Sequence, residues 1–293
     1  MRFIAGLCLA ALCAFAAMPA AAGQGSYPQT KEDLQDAYDQ LNWRYKAGPF
    51  ELPESHGVIR LRSGQALLLG EDAERYRWLN NGTEFDDTEA VLSYDSASAQ
   101  SVVYFRWYDE GYIGDTDWAD VNAEQLLADY RRGTEASNRD RAGKDIAPMH
   151  VAGWLEAPHY DKKTHTVTYA IEMRDKDGSW ANAFALRLGR AGYTEFVWVG
   201  SIGLLQSAGG RPALLNEALA AHSFEEGFRY ADFKPGDAVA SFAIAGLVRA
   251  AISGRSGKGG FGGMLKSSVL FLLAFGAAVL RFGRRLLGRA MAG

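Results

Sequence analysis

Cysteine is almost absent from this chain of 293 residues, and its two copies both lie near the beginning. Cys8 and Cys13 belong to an apolar run, Phe3 to Ala17, which follows a basic residue and precedes three consecutive alanines. This order is typical of a secretory signal peptide, and we predict one over residues 1–22. The exported chain would then contain no thiol, which excludes disulfides, thiol catalysis and cysteine metal sites. An uncleaved N-terminal anchor is the alternative interpretation.

Acidic residues are absent from the last part of the chain, Ser241 to Gly293, which contains eight Lys and Arg. Residues 23–240 contain 22 basic and 35 acidic residues, a balance of −13. An acidic body avoids nucleic acid and anionic lipid, whereas a basic tail suits anionic headgroups. We therefore expect no nucleic-acid partner, and we expect the two parts to face different surroundings.

Long apolar runs are also scarce, and after the N-terminus one segment alone looks able to cross a bilayer. Residues 261–282 have a charge-free centre of fourteen residues, Ser267 to Leu280. This centre covers about 21 Å of a hydrocarbon core roughly 30 Å thick, so the flanking basic residues must extend their charges to the headgroups. These membrane-flanking residues are Lys266, Arg281, Arg284 and Arg285. We predict a transmembrane helix over 261–282 and a basic tail over 283–293, with the lipid bilayer as a partner.

Residues 238–252 are apolar apart from Arg249, and they are too few to span a bilayer in one helix. We predict an amphipathic helix on the membrane surface or against the anchor, followed by a Gly-rich loop, over 238–258. A two-span hairpin is the alternative, and the basic residues on both sides of the anchor do not decide between them. The signal peptide places the domain outside; one span then leaves the tail in the cytoplasm, and two spans return it to the exported side.

Periodicity and turn residues predict one exported α+β domain, rich in antiparallel sheet, over residues 23–237. Helices are expected where one face is apolar, and strands where residues alternate or are β-branched and aromatic. The predicted helices are 30–41, 71–80, 121–132 and 212–222; the predicted strands are a hairpin over 56–69 turning at Ser63 and Gly64, a strand at 101–112, and four strands at 150–155, 165–172, 181–187 and 193–200. The last four form an antiparallel meander.

An acidic loop between a predicted strand and a predicted helix is the first candidate site. Its members are Asp109, Glu110, Asp115, Asp117 and Asp120. Oxygen-rich loops can hold calcium, but this spacing matches no known cation loop. We expect a solvated loop in which Asp117 or Asp120 caps the helix that follows.

A histidine cluster is the second candidate, because three of the five histidines lie within sixteen residues. Its members are His150, His159, Asp161 and His165. Imidazole and carboxylate can hold zinc, and zinc with an open position could activate water in a metal-assisted hydrolase. The spacing is not helical, and we favour a hairpin turn in which Asp161 accepts hydrogen bonds from the main-chain amides of Lys163 or Thr164. We expect no cofactor.

Seven tryptophans and many tyrosines could provide a stacking face for cell-wall sugars, although aromatic residues in strands are more often core. The serines lack the Gly-x-Ser-x-Gly context of a nucleophile elbow. The segment 224–237, which contains Arg229 and Asp232 at a spacing that allows a pair, is expected to form a rigid collar between the domain and the anchor. An aromatic belt at the membrane interface is the alternative.

Four phrases of the sequence resemble the bacterial family known as domain of unknown function 2167. They are GYIGDTD at 111–117, GW-x-x-x-P-x-YD at 153–161 followed by Thr164 and His165, LGRAG at 188–192, and FEEGFRYADFKPGD at 224–237. The resemblance runs from about Gly48 to the C-terminus, and it implies an exported bacterial domain with a C-terminal membrane segment and no established activity. Two positions depart from the family pattern: the first phrase lacks its lysine, and Tyr169 stands where a tryptophan is expected.

These observations favour a non-catalytic protein anchored in the bacterial inner membrane, whose acidic domain faces the periplasm and contacts other envelope proteins. A metal-assisted hydrolase built on the histidine cluster is the alternative from another class. A domain that binds cell-wall sugars on an aromatic face is a further alternative.

Overall fold

The computed structural model describes residues 27–81, 87–95, 101–142, 147–206 and 211–252. Its helices are α1 (Lys31–Asp39), α2 (Glu71–Asn81), α3 (Ala123–Ala142), α4 (Ile202–Gln206), α5 (Ala213–Ala221) and α6 (Ile244–Ile252). Its strands are β1 (Gly48–Leu52), β2 (Gly57–Leu61), β3 (Gln65–Leu69), β4 (Thr88–Tyr94), β5 (Val102–Tyr108), β6 (His150–Asp161), β7 (Thr166–Asp175), β8 (Gly178–Leu188), β9 (Tyr193–Gly200) and β10 (His222–Phe224).

The predicted membrane features lie outside the described residues. They are the signal peptide at 1–22, the anchor at 261–282 and the tail at 283–293, together with the flanking residues Lys266, Arg281, Arg284 and Arg285. None of the helices in the described ranges combines the length and the hydrophobicity that a membrane span requires. The anchor and the signal peptide therefore stay predictions.

Seven antiparallel strands form the main sheet, in the order β3-β4-β5-β9-β8-β7-β6. Strands β6 to β9 pair each with the next in sequence, which confirms the predicted meander. Turn residues explain the reversals, since Gly178 has a φ of +141°, a backbone region that favours glycine. The predicted α+β class with antiparallel sheets is confirmed.

The predicted hairpin over 56–69 is wrong in its pairing, although both strands exist. Strand β2 pairs with β1 and β10 in a separate three-stranded sheet, and β3 pairs with β4 in the main sheet. Gly64, with a φ of +82°, lies between the two strands where the chain passes from one sheet to the other. Alternation therefore identified the strands but not their partners, which come from distant parts of the chain.

Two hydrophobic cores lie on the two faces of the main sheet. One face packs against α1, α2, α3 and α6, and the other against the three-stranded sheet, α4 and α5. Alternate residues of β8 show the division, because Trp180, Phe184 and Leu186 belong to the first core and the alanines between them to the second. Small residues on the second face allow α5 and the small sheet to approach closely.

The apolar face of α6 is buried within the domain. Ile244, Leu247, Val248 and Ile252 are each at most 2% exposed and belong to the first core. Burial of side chains of this kind contributes about 1.5–3 kcal/mol each. A helix is thus present within the predicted segment 238–252, but its apolar face packs against the body of the domain and is not free to face a membrane surface or the anchor. The folded domain extends to Ile252, beyond the predicted boundary at residue 237.

Four charged side chains form a buried network inside the first core. Arg106 donates from Nη1 to Glu195 at 2.6 Å and from Nη2 to Asp87 at 2.6 Å. Arg77 on α2 pairs with the other carboxylate oxygen of Asp87, and the four side chains are at most 13% exposed. Burial raises the pKa of Glu195, although the charge of Arg106 lowers it. The two positive charges and the two negative charges of this network compensate each other. Because water is excluded, removal of any one charge leaves an opposite charge buried without compensation.

Candidate functional site

Four segments of the chain meet at one end of the main sheet, where β5, β6 and β8 end and β7 and β9 begin. The N–H of Gly111 donates to the carbonyl of Ala191 at 2.9 Å, and the N–H of Leu188 donates to the carbonyl of His165 at 2.9 Å. A further main-chain bond of 3.0 Å joins the β8–β9 turn to the segment after β10. We call this end of the domain the motif end; its segments are residues 111–117, 160–165, 188–192 and 224–237.

A hydrogen-bonded chain of three side chains lies at the motif end. The hydroxyl of Tyr160 donates to Oδ2 of Asp115 at 2.7 Å and lies 3.0 Å from Nδ1 of His165. Because a hydroxyl has one proton to donate, Nδ1 must carry the proton of the second bond and donate it to Tyr160. The network thereby assigns the tautomer, in which Nε2 of His165 is an acceptor. The chain is partly open to solvent, with 26% of the His165 side chain and 14% of the Asp115 side chain exposed.

The surroundings keep His165 and Tyr160 in defined protonation states. Burial lowers the pKa of His165 and outweighs the carboxylates of Asp115 and Asp161, which raise it. Burial also raises the pKa of Tyr160, and the hydrogen bond to Asp115 adds to the rise. At neutral pH, His165 is therefore a neutral imidazole and Tyr160 a neutral hydroxyl.

The imidazole of His165 is also the first ring of a stack of four. His165 has a φ of +48°, a left-handed conformation that histidine adopts more readily than β-branched residues. Its ring stacks on Tyr230 at 4.1 Å, Tyr230 stacks on Tyr112 at 4.7 Å, and Tyr112 stacks on Phe233 at 4.0 Å. The hydroxyl of Tyr230 donates to the carbonyl of Ile113 at 3.0 Å. The stack joins three of the four segments and holds the imidazole in place.

The segment 224–237 is fastened to the domain along its length. Arg190 donates to both carboxylate oxygens of Asp237, at 2.7 and 2.6 Å, and to the carbonyl of Gly227 at 3.0 Å. The carboxylate of Asp232 accepts from the main-chain N–H of Arg229 at 3.1 Å. The contact predicted between these two residues thus uses the main chain of Arg229. The segment has the contacts expected of a collar, with a bidentate ion pair at its end.

The acidic loop is divided among several roles. Oδ1 of Asp117 accepts from the N–H of Ala245 at 3.2 Å, so this carboxylate caps the first turn of α6. The next α-helix in sequence, α3, is capped instead by Asn122, which accepts from the N–H of Gln125 at 2.9 Å. The prediction that Asp117 or Asp120 caps the following helix is therefore wrong. Asp120 is exposed at the surface.

The first two acids of the loop, Asp109 and Glu110, are not members of the hydrogen-bonded chain. Asp109 is exposed, and Glu110 is half-buried. Burial raises the pKa of Glu110, and the charge of Asp109 adds to the rise. Of the five acids, Asp115 alone belongs to the hydrogen-bonded chain.

The members of the predicted histidine cluster lie in different places. His150 and His159 lie near opposite ends of β6, roughly 30 Å apart along an extended strand. His150 contacts Glu135 of α3, with 2.7 Å between Nδ1 and Oε1. His165 joins Asp115 instead, as described above. Throughout the described ranges, no group of three or more His, Cys, Asp or Glu could hold a metal ion.

Asp161 has the role expected of a turn residue. Its carboxylate accepts from the N–H of Lys163 at 2.9 Å and from the hydroxyl of Thr164 at 2.9 Å. These bonds, led by the one from Lys163, lower the pKa of Asp161. This arrangement confirms the predicted hairpin turn between β6 and β7.

The aromatic face predicted for sugars is reduced by burial. Four of the seven tryptophans lie in the cores: Trp78, Trp107, Trp180 and Trp198. Trp118, which is half-buried, lies at the motif end with its ring centre 5.5 Å from that of Tyr160. The half-buried rings of Trp118 and Tyr160 therefore adjoin the hydrogen-bonded chain.

In the sequence, Asp115 and His165 belong to separate candidate clusters, and Tyr160, which connects them, belongs to neither. Tyr160 and Asp115, which are hydrogen-bonded to each other, are 45 positions apart in the sequence. The available signal was the occurrence of Asp115, Tyr160 and His165 in or directly after the phrases that carry the family resemblance. The fold brings those phrases together.

A family model described as "Protein of unknown function (DUF2167)" matches residues 44–281. No curated protein matches the chain. Among solved structures, the chain is similar to the solution structure of cyanobacterial PsbP (CyanoP) from Synechocystis sp. PCC 6803, at 10% sequence identity. The match covers 62% of this chain and 94% of that chain, with a TM-score of 0.37. A likeness at this level carries no conclusion about function.

Proposed function

The chain belongs to the DUF2167 family, and for this member we propose a non-catalytic binding domain, exported and tethered to the bacterial inner membrane, that contacts other envelope components in the periplasm. The observation that supports it best is the hydrogen-bonded chain of Asp115, Tyr160 and His165. These three side chains are partly exposed and lie beside aromatic rings, and they come from distant segments of the polypeptide.

Binding fits this arrangement better than catalysis does. In a nucleophilic enzyme, an imidazole is hydrogen-bonded to a serine, threonine or cysteine that it activates. Here the hydrogen-bond partner of the His165 imidazole, among the described residues, is the hydroxyl of Tyr160, whose pKa is raised. A raised pKa opposes formation of a phenolate. The three side chains therefore present hydrogen-bond acceptors, and Tyr160 itself is not activated as a nucleophile.

The path of the polypeptide supports a short tether that leaves the domain at the end of α6. The collar leads into residues 238–240, which bond to Tyr112, and α6 then begins against the acidic loop. Eight residues separate Ile252 from the predicted anchor at 261, and they span at most about 30 Å. The domain would thus remain near the periplasmic surface of the bilayer, within reach of other envelope proteins.

Site-specific photo-crosslinking in intact cells tests the proposal. A photoreactive phenylalanine analogue replaces Trp118 at the motif end or, as the matched control, Tyr45, an aromatic residue that is 54% exposed elsewhere. We expect a discrete crosslinked partner from position 118 and none from position 45, and we expect loss of the crosslink when His165→Ala is added. Equal products from both positions would contradict a binding site at the motif end.

Topology is tested separately with a reporter enzyme that is active only in the periplasm. The reporter is fused after Ile252, so that the whole folded domain precedes it, and the unfused full chain is fractionated in parallel. We expect activity for the fusion and recovery of the full chain with the inner membrane. Full-length protein in the soluble fraction would refute the tether.

A further inference from the structure

We propose that the motif end binds a cationic nitrogen group, an ammonium or a guanidinium, between Asp115, His165 and the neighbouring aromatic rings. This inference rests on the proposed binding function and names the chemical class of its ligand. The ligand group can belong to a lysine or arginine side chain of a protein or to a free amine, and the experiment below separates these sources.

The hydrogen-bonded chain offers acceptors and no donor. The proton of Tyr160 is given to Asp115, and the Nδ1 proton of His165 is given to Tyr160. Nε2 of His165 is left with a lone pair and makes no hydrogen bond to another described residue, and the same is true of Oδ1 of Asp115. A ligand that satisfies both atoms must bring N–H or O–H groups.

The charges around the acceptors favour a cation over a neutral donor. Residues 109–120 contain five acids and no basic residue. Asp115 and Asp161 act on His165 with negative charge, and Lys162 is the cation that acts on it from the adjoining turn. Asp161 has hydrogen-bond partners in its own turn, so Asp115 is the carboxylate left with an open oxygen. A hydrogen bond from a cation to a carboxylate is about twice as strong as one between neutral groups.

Aromatic rings beside the acceptors add a second attraction for a cation. Trp118 and Tyr160 are both half-buried, and their rings are tilted by 41° at a centre distance of 5.5 Å. A cation over an aromatic face gains about 0.5–1 kcal/mol at an exposed site, and tryptophan is the best such face. Desolvation keeps His165 neutral at pH 7, so the imidazole does not repel the ligand.

Titration of the full-length protein in lipid nanodiscs tests the inference. The probes are n-butylammonium, n-butylguanidinium and blocked Gly-Lys-Gly and Gly-Arg-Gly peptides. Butyrate, a blocked Gly-Glu-Gly peptide and N-acetylglucosamine serve as anionic and neutral comparisons. Binding is followed by calorimetry and by the ¹⁵N shift of the His165 Nε2 resonance, which is identified by its loss in His165→Gln. We expect saturable binding of the cations, with Kd in the millimolar range or below, and a shift of Nε2.

Two variants separate a site from general acidity. Asp115→Asn should weaken cation binding by about tenfold or more, because it removes the charged acceptor. Asp120→Asn removes the same charge from an exposed position of the same loop and should leave the Kd within about twofold.

A third variant tests the tautomer of His165. Tyr160→Phe should reduce the Nε2 shift, because Nδ1 loses the partner that fixes the tautomer. Near-UV circular dichroism verifies that each variant is folded.

The outcomes decide between the inference and the function on which it rests. Equal losses in the Asp115 and Asp120 variants, absence of saturation by any cation at about 10 mM, or binding of the sugar in place of the cations would overturn the inference. If the position-118 crosslink persists under those outcomes, the binding function stands with a different ligand. Binding of the peptides without the small amines identifies a protein side chain as the ligand, and binding of both leaves free amines as a source.

Discussion

The substitution Arg106→Met tests whether the buried network is an interdependent unit. Arg106 is 5% exposed and bridges Glu195 and Asp87, and after its removal Asp87 still has Arg77 while Glu195 loses its cation. Breaking a buried pair by removing one partner costs about 3–5 kcal/mol. In a domain of this size, that corresponds to a decrease in Tm of about 6–20 °C. We expect the loss to be visible in the urea midpoint followed by near-UV circular dichroism.

The pH dependence of the loss identifies Glu195 as its cause. Burial already raises the pKa of Glu195, and removal of Arg106 raises it further. A carboxyl group with a raised pKa binds more protons in the native state than in the unfolded state, so stability falls as pH rises. The difference between Arg106→Met and the parent should therefore shrink as the pH is lowered from 7 to 5. A difference that stays constant would point to lost packing alone.

Two further variants complete this test. Arg174→Met breaks a surface pair with Glu172, in which Arg174 is 60% exposed, and should cost at most about 1 kcal/mol. Adding Glu195→Leu to Arg106→Met removes the stranded charge and should recover at least half of the loss, since apolar replacements of buried pairs are often neutral. The reasoning is refuted if Arg106→Met costs no more than Arg174→Met.

Three other predictions concern the frame of the site. Asp117→Ala removes the cap of α6 and should lower the free energy of unfolding by about 1 kcal/mol in chemical denaturation. The control Asp120→Ala should change it by no more than about 0.5 kcal/mol. Equal effects of the two substitutions would show that the cap does not stabilise α6. Gly192→Ala places a Cβ against the main-chain oxygen of Tyr108 at the end of β5 and should cost about 1–3 kcal/mol. Gly133→Ala, in open space within α3, should instead stabilise by about 0.5–1 kcal/mol. His222 is buried, and desolvation, the main cause, strongly lowers its pKa. The unfolded state therefore takes up the proton first as the pH falls. Below about pH 6.5, stability should decrease by up to about 1.4 kcal/mol for each pH unit. His222→Phe should flatten that dependence in urea midpoints measured at pH 7.5 and 5.5, and an unchanged slope would assign it to other groups.

Local patterns predicted the meander well because its partners are neighbours in sequence. Strands β6 to β9 follow one another with short turns, so apolar content and turn residues were sufficient. The predicted end of β6 at Leu155 was too early, since the strand continues through Pro158 to Asp161. Register shifts between residues 151 and 159 accommodate that proline in an edge strand.

Long-range pairings were beyond the reach of the same patterns. Strand β2 finds β10 from more than 150 positions away, and no feature of the segment 57–61 indicates that partner. The buried network was missed for a related reason. Arg106 and Glu195 each interrupt an apolar strand, which is a recognisable signal, but their proximity follows from the β5–β9 pairing.

The candidate site was half visible in the sequence. Asp115 and His165 were both selected for their chemistry, yet as members of a calcium or zinc hypothesis. The carboxylate of Asp117 was expected to cap the helix that follows it, but it caps α6, more than 120 positions later. Composition identifies groups that can act as ligands, whereas the fold decides which of them share a surface.

The burial of α6 sets where the domain can be cut for work in solution. A fragment that stops at Asp237 would lose the helix and leave an apolar strip of the first core open to water. Such a strip favours aggregation, and poor behaviour of the short fragment would say nothing about the domain itself. A soluble version should therefore end after Ile252, so that the residues which close the core travel with it.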